Sequence, residues 1–275
     1  MVLRETITSR NNELVKWASS LSDKKGRDIS RSFIVEGKKL SFEALDARLS
    51  VTHVFVLEGR KDEYMPTLKE KLGTPCYENV EIVLLSESAF SKISTEKSPQ
   101  GIISVIKYLD FFSDLDIIYN EAFYFNEKER AIILSSVRDP GNLGAVIRSS
   151  VAFGVERIIL SSDTADVYNP KTVRAAMGSL FKVKIDRVSS LRDFIPALRK
   201  SGRRVFAAEL SEGAVSLSDL DLRPDDVFMI GNEGHGIDPE LSSISDGSVY
   251  IPISGKTESL NAAVAAAVFM WEQSK

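Results

Sequence analysis

The chain is poor in the residues that hold metals and form crosslinks. Among its 275 residues are one cysteine and two histidines. Cys76 alone cannot close an intrachain disulfide, which fits a reducing compartment. So few thiol and imidazole ligands argue against a zinc site, and no metal is expected. Long hydrophobic runs are also missing. The longest apolar stretch, "AAVAAAVFMW" from Ala262 to Trp271, spans ten residues, where a membrane helix needs about 20. The first residues, "MVLRETITSRNNELVKW", are mixed and charged and lack the layout of a secretory signal. A cytoplasmic protein with no membrane partner is expected. A surplus of positive charge is missing as well. The formal net charge is −4, which argues mildly against a nucleic-acid partner.

What is present is an ordinary globular composition, 43% apolar and 27% charged. The length suits one large domain or two ordinary ones. The charge is unevenly spread. Residues 171–204 hold ten Lys/Arg against two Asp/Glu, and residues 205–275 hold three against twelve. Such a basic belt either faces water or steers a polyanion to one side.

Residues 1–109 alternate helical and strand patterns, which predicts a small α/β domain. "SRNNELVKWASSL" has helical spacing behind a Ser/Asn start, and "RSFIVEG", "VTHVFVLEG", "EIVLLS" and "GIISVIKYL" read as strands. "SDKKGRD", Ser22 to Asp28, has turn and charge composition and reads as a mobile loop. Residues 110–130 carry six acids, two bases and many aromatics without a clean period, and read as a linker or insertion. From 131 to 275, strand patterns alternate with helical ones, which predicts a parallel sheet covered by helices. Such sheets bind ligands at the C-terminal ends of their strands.

Three segments of this second half carry unusual residues at strand ends. In "VRDPGNLGAVIRSS", Val137 to Ser150, a Pro-Gly turn opens a helix with Asn142 at an N-cap position. It fits neither the dinucleotide fingerprint nor the Walker loop. The helix reads as apolar nearly all round, so Arg148 is expected to be partly buried and to need an anionic or hydrogen-bonding partner. In "FMIGNEGHGIDPEL", three glycines in six residues allow positive φ or close approach of a ligand. Glu233 there is either a surface carboxylate or a partner for a cation, and His235 reads as a loop-surface histidine. In "YIPISGKTESLNAAVAAAVFMWE", Pro252 ends a strand and Thr257 or Ser259 starts an alanine-rich helix. Ser259 and Asn261 are polar groups at the start of that helix, aimed at the strand ends.

Together the three segments resemble the motifs of the SpoU/TrmH family of RNA ribose methyltransferases, within the SPOUT superfamily. The first carries Asn142, Gly144 and Arg148, the second "GNEGHGI" and the third "IPISGKTESLNAAVAAA". In the first half, "FIVEGKKLSFEAL" and "SPQGIISVI" are similar to the ribosomal-protein-like α/β domain with which many members bind RNA. The resemblance implies a C-terminal parallel sheet tied in a deep trefoil knot, and a homodimer with the C-terminal helix near its interface. It implies S-adenosylmethionine as cofactor, held by Ala208, Glu209, Gly231, Asn232, Ile251, Leu260 and Asn261. The implied reaction is methyl transfer to a ribose 2′-hydroxyl of RNA, with ribosomal RNA favoured over transfer RNA. Arg148, Asn142, Glu233, Ser259 and Asn261 are the implied catalytic set. Arg148 either deprotonates the hydroxyl after a depression of its pKa, or pairs with phosphate and the developing alkoxide. Arg31, Lys38, Lys171, Arg174, Lys182 and Lys184 are the expected RNA contacts. A dinucleotide-dependent oxidoreductase would need a glycine fingerprint that is absent here. A non-catalytic RNA-binding protein of this fold would be expected to lose Arg148 or the Glu233 loop, and both are retained.

Overall fold

A computed structural model describes residues 2–74, 77, 79–110, 112–115 and 129–275. Cys76 and most of the segment read as a linker at 110–130 lie outside the described residues. The chain divides into two compact units. One comprises Met1–Leu109 with Asp166–Phe181, and the other Asp110–Ala165 with Lys182–Lys275.

The first unit is built on five strands: β1 (Val2–Ile7), β2 (Ser32–Glu36), β3 (Val51–Leu57), β4 (Glu81–Leu85) and β5 (Ile102–Lys107). They lie in the order β1-β4-β3-β5-β2, with β5 antiparallel to β2 and β3 and the other pairs parallel. β2 to β5 are near-continuous apolar runs, and Phe55, Val83 and Ile103 are fully buried among helix residues Val15, Ala18 and Phe90. The helices are α1 (Glu13–Ser20), α2 (Lys24–Ser30), α3 (Lys38–Asp46), α4 (Lys61–Leu72) and α5 (Glu87–Ile93). Asn12 caps α1 by accepting from the Leu14 amide at 2.9 Å. The loop expected at Ser22–Asp28 is instead mostly helix α2. Its order comes from tertiary contacts rather than from an apolar stripe. Gly26 lies against the Ser20 carbonyl, where a Cβ would sit 2.1 Å from the oxygen. Arg27 is only 2% exposed, donates to the carbonyls of Leu21 and Ser22, and pairs with Asp166 at 2.6 Å.

The second unit holds β6 (Phe112–Leu115), β7 (Ala131–Leu134), α6 (Pro140–Ala152) and β8 (Arg157–Ser161). The chain then forms α7 (Pro170–Ala176), which packs on β2 as part of the first unit. It continues with β9 (Lys184–Val188), α8 (Leu191–Lys200), β10 (Val205–Ala208), β11 (Val215–Ser216) and β12 (Val227–Ile230). It ends with α9 (Pro239–Ser243), β13 (Gly247–Tyr250) and α10 (Ala262–Gln273). The eight strands lie in the order β11-β13-β10-β12-β7-β8-β9-β6, and every pair is parallel. The parallel-sheet reading therefore holds. A strand at 112–115 was not expected; it pairs with β9 at the sheet edge. β7 "AIIL", β8 "RIILS" and β12 "VFMI" are buried along their whole length, as strands covered on both faces must be. Sequential strands run outward from β7 toward β8 and β9, while β12 and β10 lie on its other side. The crevice between β7 and β12 is thus the point where strand order reverses, which is where open parallel sheets place ligands.

Candidate active site

The loops that follow β7 and β12 meet at this crevice. The Ser135 amide donates to the Ile230 carbonyl at 2.8 Å, and Asn232 Nδ2 donates to the Ser136 carbonyl at 2.8 Å. Ser136 holds φ of +58°, a conformation costly for a residue with a side chain. Its hydroxyl donates to Asp163 at 2.8 Å and its amide donates to Ser161 Oγ at 2.8 Å. Burial pushes the Asp163 carboxyl up, but hydrogen bonds from Ser161, Ser136 and Arg138 outweigh this and hold it below its usual value.

Asn142 does not cap α6, as the sequence suggested. Asp139 is the cap, and its carboxylate accepts from the Asn142 amide at 2.8 Å. Pro140 occupies the first helical position, where its missing N–H costs nothing, so the helix begins earlier than the Pro-Gly turn implied. The Asn142 side chain is thereby free for other partners. It donates from Nδ2 to Glu233 Oε1 at 2.5 Å and accepts at Oδ1 from Asn261 Nδ2 at 3.0 Å. One chain of hydrogen bonds therefore joins all three unusual segments. Its direction is set at one end: Asn261 Oδ1 caps α10 by accepting from the amides of Ala263 and Val264. Only its Nδ2 is left to donate, which makes Asn142 an acceptor on that side and a donor toward Glu233.

Arg148 is exposed rather than partly buried. The buried side of α6 is Leu143, Gly144, Val146, Ile147 and Ser150. Ala145 and Ser149 line an open groove between α6 and α10 instead of core, so counting small residues as apolar overstated the burial. Among the described residues Arg148 makes no hydrogen bond or ion pair. A guanidinium with all its donors free on this helix is available to an anion from outside.

The glycine-rich loop is drawn tight by reciprocal bonds between Asn232 and Gly236, each 2.9 Å. Asn232 Oδ1 also accepts from the amides of Gly234 at 2.8 Å and His235 at 3.2 Å. A Cβ on Gly231 would lie 2.5 Å from the carbonyl carbon of Gly236, so only glycine fits there. This geometry places Glu233 and His235 at an exposed tip.

A cavity of about 610 Å³ opens at the ends of β10 and β13. Ligand pockets span roughly 300–1,000 Å³. Ala208, Glu209, Ile251, Ser259 and Leu260 line it, whereas Gly231, Asn232 and Asn261 do not. Asn261 lines the groove between α6 and α10. Pro252, singled out above only as a strand end, also walls the cavity, as do Leu210 and Ile253, which carry no motif; all three are exposed. Leu210 carried a signal, as a large apolar residue just past a strand end; it is 79% exposed. Helix α10 starts at Ala262 behind Asn261, not at Thr257 or Ser259. The Thr257 hydroxyl instead donates to the Ser259 carbonyl at 3.2 Å within the loop.

The six basic residues expected to meet RNA are all exposed. Arg31, Lys38, Lys171 and Arg174 belong to the first unit, and Lys182 and Lys184 to the second. Arg174 pairs with Glu96 at 2.5 Å, Lys38 with Glu63 at 3.6 Å and Lys184 with Glu129 at 3.7 Å. Lys171 and Lys182 have no ionic partner among the described residues.

Residues 129–271 match the SpoU rRNA methylase family, and residues 12–104 match the MRM3-like substrate binding domain. The chain is 32% identical over 265 residues to the Bacillus subtilis 23S rRNA (guanosine(2553)-2′-O)-methyltransferase RlmP, covering 96% of this chain and 97% of that one. It is 29% identical to the Streptomyces viridochromogenes 23S rRNA (uridine(2479)-2′-O)-methyltransferase, covering 97% and 90%. The fold matches an AdoMet-bound rRNA methyltransferase from Sinorhizobium meliloti with a TM-score of 0.84 and 32% identity, over 98% of this chain and 97% of that one. A parallel sheet with the three joined motifs, preceded by a substrate-binding domain, thus belongs to a member of the SpoU rRNA methylase family.

Proposed function

We propose that the chain transfers a methyl group from S-adenosylmethionine to a ribose 2′-hydroxyl of 23S-type ribosomal RNA. The observation that carries this reading is the hydrogen-bonded chain Asn261–Asn142–Glu233, built on the same helix as the unpaired Arg148. The cavity at β10 and β13 suits the cofactor in character. Its walls are apolar side chains and strand-end main chain, and Glu209 adds a carboxylate, whose Oε1 accepts from Ser248 at 2.9 Å. Bound there, the cofactor supplies a methyl on a sulfonium centre. Ala208, Glu209, Ile251 and Leu260 hold it at the cavity wall. Gly231 and Asn232 act one step back, by fixing the loop beside it.

The chemistry left to the protein is orientation and charge. Asn142 and Glu233 orient the ribose, and Ser259 and Asn261 complete the pocket. The 2′-hydroxyl gives up its proton to water as it takes the methyl, and Arg148 meets the phosphate and the negative charge that develops on that oxygen. An exposed guanidinium with its donors free is placed to pair with an anion that arrives with the substrate. Arg148→Ala is expected to slow methyl transfer by ~10²–10³-fold, the usual effect of removing a group that stabilises developing charge. Calorimetric titration with S-adenosylmethionine should be unchanged in the same variant. Near wild-type turnover would overturn the assignment.

The remaining parts of the reading are the trefoil knot, with the loop after β13 as its threaded segment, a cytoplasmic location and a homodimer. Three features support the homodimer: the groove between α6 and α10, its small residues Ala145, Ala263 and Ala267, and the half-exposed Trp271 at its rim. A second copy laying its own α6 and α10 into that groove would bury them. Arg31, Lys38, Lys171, Arg174, Lys182 and Lys184 contribute the contacts to RNA.

A further inference from the structure

Arg31 is an exposed cation of the first unit that lies over a stacked pair of aromatic rings. Its guanidinium carbon sits 4.7 Å from the centre of the Tyr108 ring. The Tyr108 ring stacks on Tyr168 at 4.1 Å and 12°. Tyr168 in turn packs against Phe33 at 4.6 Å. Tyr168 fills one face of Tyr108, which leaves the opposite face for the guanidinium. The result is a ladder of four flat groups running from the buried Phe33 to the exposed Arg31.

The ladder is fixed at each rung. The Tyr108 hydroxyl donates to Asp28 at 2.8 Å, and the Tyr108 amide donates to the Arg31 carbonyl at 2.9 Å. The Leu109 amide donates to the Tyr168 hydroxyl at 2.9 Å. Arg31 itself holds φ of +47° at the end of α2, a conformation that favours glycine. Yet its side chain has no hydrogen bond or ion pair among the described residues. Its guanidinium carbon is seated over the ring while its donors are free. Around it α2 exposes Lys24, Lys25 and Ile29, the last 75% exposed, and Lys107 is exposed on the adjoining strand.

We infer that Arg31 is the outer rung of a stacking site for an unpaired nucleobase of single-stranded RNA. A planar cation held flat on an aromatic ring offers its outer face to a base and its edge N–H groups to the flanking phosphate. The neighbouring lysines supply the sequence-independent attraction to the backbone. This role differs from the phosphate contact expected of Arg31 from its charge alone. It rests on the reading of the chain as an RNA-modifying enzyme, and it deepens that reading by naming an unpaired base as part of what the first unit holds.

The test uses the full chain and two 12-nucleotide single-stranded RNAs, one carrying 2-aminopurine and one with that base removed to leave the sugar-phosphate. Wild type should quench the 2-aminopurine and bind the abasic strand at least about fivefold more weakly, the lower end of what one stacked base contributes. Arg31→Lys keeps the charge but not the plane. It should lose the quenching and bind the intact strand about as weakly as wild type binds the abasic one, with an unchanged salt slope. Equal binding of both strands by wild type, or wild-type quenching by Arg31→Lys, overturns the inference, as does failure of wild type to bind either strand at low salt. No cofactor is needed for this readout. A stacking site that fails beside intact methyl transfer therefore sinks this inference alone, and stacking without methyl transfer sinks only the enzymatic reading.

Discussion

Gly231 shows how one missing side chain shapes a site. Its Cα faces the backbone of Gly236, and an added methyl would meet main chain that cannot swing aside. Gly231→Ala is therefore expected to push the loop open and weaken the paired bonds between Asn232 and Gly236. Strain of this kind costs about 1–3 kcal/mol, read as a lower denaturation midpoint. Methyl transfer should fall at least tenfold through Asn232 and Glu233, although neither is altered. At this scale the sequence was half legible. Three glycines in six residues signal a close approach, and one is present. The exposure of Arg148 was not legible, because alanine and serine serve a core and an open groove equally well. Nor was the stack under Arg31: Phe33, Tyr108 and Tyr168 are far apart in the chain and share no period.

Among the elements, α2 depends on one residue. Arg27 is buried, and its guanidinium ties the Leu21 and Ser22 carbonyls to Asp166. Arg27→Met keeps the stem and removes those bonds. Breaking a buried ion pair by removing one partner costs ~3–5 kcal/mol. A loss near the lower end is expected because Asp166 retains some access to water, and a urea titration would measure it. Less than about 0.5 kcal/mol would show that α2 stands without this tie. Elements with strong apolar patterns, such as β2 to β5 and the long runs of the second sheet, were legible because burial alone selects them. Those that escaped lack that signal. β1 is an edge strand with exposed residues, α2 is held by polar contacts, and α4 carries Pro66 within its span. Helix starts were misplaced for a related reason. Ser, Thr, Asn and Asp cluster at such loops, and which of them caps depends on the path of the chain.

For the molecule as a whole, the proposed homodimer puts its contact at α10. Trp271 is 49% exposed at the rim of a groove lined by small residues. Trp271→Glu is expected to leave the fold intact and shift the protein from dimer to monomer in sedimentation velocity. A wild-type sedimentation coefficient for this variant would rule the groove out as the contact. Asn142 and Asn261 line the same groove, so the monomer should also lose methyl transfer.

The segment Asp166–Phe181 bears on how the chain is made. It lies between two neighbouring strands of the second sheet, yet Asp166 receives Arg27 and Tyr168 receives the Tyr108 ring, all within the first unit. A ribosome delivers the chain from its first residue onward. When residue 109 has been made, the first unit still lacks a helix, an ion-pair partner and a stacked ring. Its final packing waits until about seventy more residues have been synthesised, by which time the first strands of the second sheet exist. The two units therefore mature together during translation, and a fragment cut between them would leave the first one unfinished.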